Sequence, residues 1–273
     1  RSTLFPYTTL FRSLELHVSL SYRPRLADPV AETLTSAVSP PGAWYLSGSR
    51  RRSCSGTTVT TVSRQITTTD PLVWIDCEMT GLDLRADALI EVAIVITDYE
   101  LKPLAEGIDL LIKPPAGALE RMSDFVRQMH TSSGLLADLQ AGLSMEKAQA
   151  TVMEYVTSLV PEAHTAQLAG NSVGTDKAFL ARDMPELVDY LHYRVVDVSS
   201  IKELAKHWYP RTFFHAPKKQ GGHRALADIL ESIDELRYYR SVLFPAGEGP
   251  SSLECKEAAA AVAASPTGRP AQA

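Results

Sequence analysis

The run Leu72-Val-Trp-Ile-Asp-Cys-Glu-Met-Thr-Gly-Leu-Asp83 opens with four apolar residues and then sets two carboxylates one residue apart. Apolar side chains at consecutive positions bury both faces of a strand, so Leu72 to Glu78 reads as a central, covered strand. Side chains of a strand alternate between its faces, which sends Asp76 and Glu78 to the same one. Met79 to Asp83 follows as a turn around Gly81. Outward from this strand, Ile90 to Thr97 and Gly107 to Ile112 are two more strands, joined by short turns with Asp98 and Pro103, and the three suggest an antiparallel meander. Helical patterns follow near 118 to 129 and 144 to 159. A short strand at Ala166 to Gly170, a helix from Thr175, a strand at Arg194 to Val198 and a helix through His207 come next. The last helix, about Arg224 to Val242, spaces Leu226, Ile229, Leu230, Ile233 and Leu236 by three and four, as one buried stripe requires. Strands first and mixed elements afterwards indicate one α/β domain over residues 70 to 245.

Composition limits what such a domain does. The chain has 273 residues, and 27 Lys plus Arg stand against 32 Asp plus Glu, a formal charge of −5. No general basic field exists to hold long nucleic acid by counterion release, so a polyanionic substrate has to be caught at a local site. Three cysteines, Cys54, Cys77 and Cys255, support neither a disulfide framework nor a zinc knuckle, which points to the cytoplasm. No run of about 18 apolar residues predicts a membrane span. Residues 1 to 69 are rich in Ser, Thr, Arg and Pro without periodicity and read as a disordered or non-native extension. Within them, Thr3 to Ser13 resembles a translated sequencing adapter, and no Met precedes Met79. Residues 246 to 273 read as a disordered Ala/Pro-rich tail.

The chemistry lies in three short segments. An isolated pair such as Asp76 and Glu78 most often lies at a solvated strand end, but here it caps a buried strand, where sites of α/β proteins form. Two neighbouring carboxylates repel unless a cation sits between them. Gly170-Asn-Ser-Val-Gly-Thr-Asp176 passes from strand through loop to helix, with Thr175 as a plausible N-cap and Asp176 in a first turn that the helix dipole alone would favour. Gly221-Gly-His-Arg-Ala-Leu-Ala-Asp228 opens the last helix. His223 and Asp228, five residues apart, would differ by about 140° on one helix, so His223 belongs on the glycine-rich lead-in.

Together, Asp-x-Glu on the first strand, an Asp about a hundred residues later, and His-x-x-x-x-Asp at the last helix resemble the DEDD exonuclease superfamily in its histidine-bearing branch. WIDCEMTGLD at 74 to 83, GNSVGTD at 170 to 176, HYRVVDVSSIKELA at 192 to 205 and KQGGHRALADI at 219 to 229 are similar to the oligoribonucleases within it. The resemblance spans about Pro71 to Phe244. It implies an RNase H-like fold: a mixed sheet, with an antiparallel three-strand meander plus parallel strands, flanked by helices. It also implies 3′-to-5′ release of 5′-mononucleotides from very short single-stranded RNA oligonucleotides, down to dinucleotides, by a homodimer. Asp76, Glu78, Asp176 and Asp228 would then hold two divalent cations, Mg²⁺ or Mn²⁺, which suit hard oxygen ligands. His223 would act as general base. By the same resemblance Leu82 wedges against the 3′ base, and Ser172, Tyr193, Arg194 and His130 surround the terminal 5′ phosphate. Phe125 stands where the family commonly has Trp, so base stacking has a smaller ring. Lys218 and Lys219 would add positive charge beside the site. A general or proofreading 3′ exonuclease and a catalytically silent binding module are the competing classes, and a zinc hydrolase lacks its HExxH.

Overall fold

The computed structural model describes residues 70–218 and 222–264. The extension 1–69, residues 265–273, and Lys219 lie outside the described residues.

The central strand is where its apolar run puts it. Strands β1 (Leu72–Met79), β2 (Leu89–Thr97) and β3 (Ile108–Leu111) form the antiparallel meander, and β4 (Gln167–Gly170) and β5 (His192–Asp197) extend it in parallel, giving the order β3-β2-β1-β4-β5. The helices are α1 (Ala118–Arg121), α2 (Asp124–Ser132), α3 (Leu135–Asp138), α4 (Met145–Leu159), α5 (Gly174–Asp183), α6 (Pro185–Tyr190), α7 (Val198–Trp208), α8 (Pro210–Phe214), α9 (Ala225–Leu243) and α10 (Ser252–Ala264).

Alternation along β1 divides the core in two. Val73, Ile75 and Cys77 pack with Val152 and Val156 of α4 and Phe179 and Leu180 of α5. Leu72 and Trp74 face the other way, against Ile229, Ile233, Leu236 and Tyr239 of α9 and Val198 and Ala205 of α7. Trp74 donates its indole N–H to Thr97 Oγ1 at 2.9 Å, so burying this large ring leaves no polar atom unmet. Asp76 and Glu78 continue the even-numbered face, the one α9 covers, and that geometry brings the acid of α9 to them. The register slips between Glu78 and Met79, a bulge of the kind that re-aims side chains beside functional sites.

Four details differ from the sequence expectations. The helix foreseen over 118 to 129 is two, because Met122 is extended and Ser123 caps α2 by accepting from Val126 N–H at 3.3 Å. Helix α5 begins at Gly174, one residue before Thr175, which is therefore not its cap; Val173 is, without a side-chain hydrogen bond. Leu230 is exposed while Leu226 is only partly covered, so the buried stripe of α9 runs through Ala225, Ile229, Ile233, Leu236 and Tyr239. Finally, Ser252–Ala264 of the tail is helical where disorder was expected; its alanines carry the highest helix propensity, and every residue in it is exposed.

Candidate active site

Three carboxylates meet at the C-terminal end of β1. Ligand oxygens of Asp76, Glu78 and Asp228 all lie within 4.8 Å of one another, with Asp228 only 2% exposed and Glu78 6%. Asp176, the fourth expected member, reaches the same strand from α5: its Oδ1 accepts from Cys77 N–H at 3.0 Å. Its charge is also felt at Cys77, whose thiol is pushed well up by burial first and then by the charges of Asp176, Asp76 and Glu78. Three carboxylates meet at one strand end, a fourth is bonded to the strand backbone beside them, and their donor set is hard oxygen throughout. The residues present therefore fit a divalent cation held through oxygen.

His223, on the lead-in to α9, has φ of 49°, a left-handed conformation unusual for a side chain with a Cβ. With Phe125, Gln128, Met129 and Gly222 it lines an open cleft of about 470 Å³. Phe125 is 47% exposed there, its ring available as a platform. Leu82 is half-buried against the core. The turn that carries it is pinned by Asp87, which accepts from Thr80 Oγ1 at 3.0 Å and from Asp83 N–H at 2.9 Å. Gly81 is required at this turn, since a Cβ would stand 2.4 Å from the Asp87 carboxylate. Arg182 holds the outer side of the turn through the carbonyls of Leu84 and Asp87.

The residues expected around the terminal phosphate fall into two places. Tyr193 and Arg194 lie on the exposed edge strand β5, Tyr193 at 71% exposure, so Tyr193 is not a core residue. The Tyr193 ring stacks on His192, and the Arg194 guanidinium lies 5.3 Å from its centroid. Ser172, at φ 55°, is set by Asp197, which accepts from Ser172 N–H at 2.9 Å, and its hydroxyl meets Ser199 Oγ at 3.0 Å. His130 is elsewhere: the ring is fully enclosed, Nε2 donates to the Met79 carbonyl at 2.9 Å, and Nδ1 lies 3.9 Å from Glu78 Oε2. As placed it fastens the end of β1 through the Met79 carbonyl and presents no surface to a ligand. Burial, reinforced by the charge of His223, holds its pKa below the ordinary histidine value.

Two supporting groups lie behind these acids. Asn171 donates to Ser232 Oγ at 2.8 Å and Glu235 Oε2 at 3.0 Å while accepting from Ser199 Oγ at 3.1 Å, tying the β4 loop to α9 and α7. Ser232 in turn donates to the Asp228 carbonyl at 2.7 Å. The second group is Glu91 with Arg224, in contact across 133 residues of sequence. Long-range polar pairs of this kind leave no periodic or spacing pattern to read.

The family model described as Exonuclease matches residues 73–236, which hold the mixed sheet and the acids at the end of its central strand, so the chain is an exonuclease-type protein. Escherichia coli exonuclease I in complex with a dA16 oligonucleotide shares the fold, with a TM-score of 0.52 at 14% identity over 64% of this chain and 41% of that longer one. The chain is 60% identical to the oligoribonuclease of Cutibacterium acnes over 189 residues, covering 69% of this chain and 94% of that protein. It is 59% identical to the oligoribonuclease of Streptomyces griseus, covering 71% and 97%. The chain belongs to the oligoribonuclease family.

Proposed function

We propose that the chain is a metal-dependent 3′-to-5′ exoribonuclease that hydrolyses very short RNA, down to dinucleotides, to 5′-mononucleotides. The observation that carries this reading is the meeting of Asp76, Glu78 and Asp228 within 4.8 Å beside Asp176, in a chain 60% identical to an oligoribonuclease. Asp76, Glu78, Asp176 and Asp228 would hold two divalent cations, Mg²⁺ or Mn²⁺. Bound there, the cations supply Lewis acidity and neutralise charge that develops on the phosphate during in-line displacement.

The chain's own residues do the rest. An imidazole nitrogen of His223 accepts the proton of the attacking water. Phe125 stacks on a base from the cleft wall while Leu82, fixed by the Asp87-braced turn, wedges against the 3′ base. Arg194 forks onto the terminal 5′ phosphate, with Tyr193 and Ser172 beside it. His130, enclosed against the Met79 carbonyl, orders the end of β1 from which Glu78 projects. The whole catalytic domain is residues 70 to 245.

We read the protein as a cytoplasmic homodimer. Leu204, Trp208, Tyr209 and Phe214 expose apolar surface along α7 and α8, which a second copy would cover. Cytoplasmic residence is in keeping with the free thiols of Cys77 and Cys255. No helix among the described residues is long and apolar enough to cross a membrane.

Incubating a labelled RNA dinucleotide with the full chain and Mn²⁺ tests the activity: mononucleotide release that EDTA stops is expected. Release that continues undiminished in EDTA would overturn the reading.

A further inference from the structure

We propose that Glu91 is a positioning residue that locks the first turn of α9, so that His223 and Asp228 meet the acids of β1; the proposal rests on the exonuclease reading of that site. Glu91 is fully buried on β2, paired in register with Glu78 and therefore on the face that α9 covers. Yet it is not gathered with Asp76, Glu78 and Asp228, because both its oxygens are engaged elsewhere. Oε1 accepts from Arg224 Nε at 2.9 Å, and Oε2 accepts from the backbone N–H of Ala225 at 3.1 Å.

That second bond does the work of an N-cap. The residue at the N-cap position of α9 is Arg224, whose side chain makes no cap hydrogen bond, so the acceptor for the first turn comes from another element altogether. Arg224 also reaches Asp138 Oδ2 at 3.2 Å and Asp109 Oδ2 at 3.9 Å, so its side chain is held from three sides. Its carbonyl accepts from Asp228 N–H at 3.0 Å. One short chain of bonds thus runs from β2, through Arg224, to the backbone of the acid that α9 contributes.

The residue before Arg224 is His223, at φ 49°. A side chain with a Cβ stays in that region only where its surroundings over-determine it. The clamp on Arg224 and Ala225 supplies the fixed point on one side. Electrostatics explain why the clamp needs both partners: burial pushes the Glu91 carboxyl up and Asp109 adds to this, while the Ala225 N–H and Arg224 oppose it. Breaking either bond would leave a buried carboxyl oxygen without that partner, at the cost of its desolvation.

The test uses the full chain with Glu91→Gln, which keeps the shape and one acceptor but loses the charge. Two readouts are taken: hydrogen exchange of the backbone amides from Ala225 to Asp228 without metal or substrate, and kcat and KM on a dinucleotide with Mn²⁺. Exchange in that turn should quicken by about 5- to 30-fold, the equivalent of a lost cap, while β1 and β2 stay protected. By the same reckoning kcat should fall by about tenfold or more with KM within about twofold. The double variant Glu91→Gln/Arg224→Gln should lose no more than the worse single, because both break one clamp. Unchanged exchange, a rise in KM with kcat intact, or multiplied losses in the double variant would each overturn the proposal. Should Glu91→Gln not fold, Arg224→Gln alone, altered at a partly exposed side chain, is read by the same two measurements. If the wild type releases no mononucleotide, the exonuclease reading fails while the exchange measurement still decides the clamp.

Discussion

Replacing Asp228 with Asn removes one charge from a cluster whose members repel. Ligand oxygens of Asp76, Glu78 and Asp228 lie within 4.8 Å of one another. At an effective dielectric of about 20, two unit charges at that separation repel by about 3 kcal/mol. Water reaching the half-exposed Asp76 weakens its share, so the net gain from neutralising Asp228 is about 1 to 3 kcal/mol. Desolvation acts in the same direction, since Asp228 is 2% exposed and a buried charge costs free energy that an amide does not. For a domain of this size about 1 kcal/mol corresponds to about 2–4 °C in Tm. Asp228→Asn should therefore melt about 2 to 10 °C above the wild type in EDTA, by calorimetry. Millimolar Mn²⁺ should raise the Tm of the wild type and scarcely that of the variant, since binding to the folded state alone stabilises it. The variant should also have lost turnover. A variant less stable than the wild type in EDTA, or equally stabilised by Mn²⁺, would refute the view that these acids are held together for a cation.

Three further outcomes are expected. His223→Ala should lower kcat by about 10² to 10⁴, the range for a lost general base, while Mn²⁺ binding by calorimetry is kept; weakened binding instead would make His223 a ligand. Arg194→Ala should weaken dinucleotide turnover by about 10 to 150 fold, the value of a charge-assisted phosphate contact, and longer strands much less; equal losses at every length would make Arg194 a fold residue. His130 is buried with its pKa held down, so the unfolded chain takes up its proton first, at about 6.5. The stability it contributes is present above that pH and is lost as pH falls through the lower folded value. Urea melts from pH 8 to 5 should show this loss, and His130→Gln should flatten it; an unchanged slope would exclude His130 as its source.

The central strand and the three candidate segments were legible because each leaves a local signature: apolar residues on both faces of β1, acids two apart at its end, and histidine and acid around the start of a periodic helix. What escaped reading depends on a local capping choice and on contacts between distant segments. The split of α1 from α2 turns on Ser123 capping, a choice a continuous helical pattern conceals. Starting α5 at Gly174 follows from the turn at Ser172, whose amide is held by Asp197 from β5. His130 was placed at the terminal phosphate by resemblance alone, and only its bond to the Met79 carbonyl at the bulged end of β1 shows that it is enclosed. Glu91 had no signal at all, being a lone acid in an apolar strand whose partner follows 133 residues later.

The central claim is hydrolysis confined to very short RNA at a metal-holding acidic cluster. The most direct measurement is kcat/KM for end-labelled RNAs of graded length, from dinucleotide upward, with Mn²⁺ and with EDTA. The account predicts release of 5′-mononucleotides, fastest from the dinucleotide, falling with each added nucleotide and abolished by EDTA. Rates that hold or rise with length would contradict it.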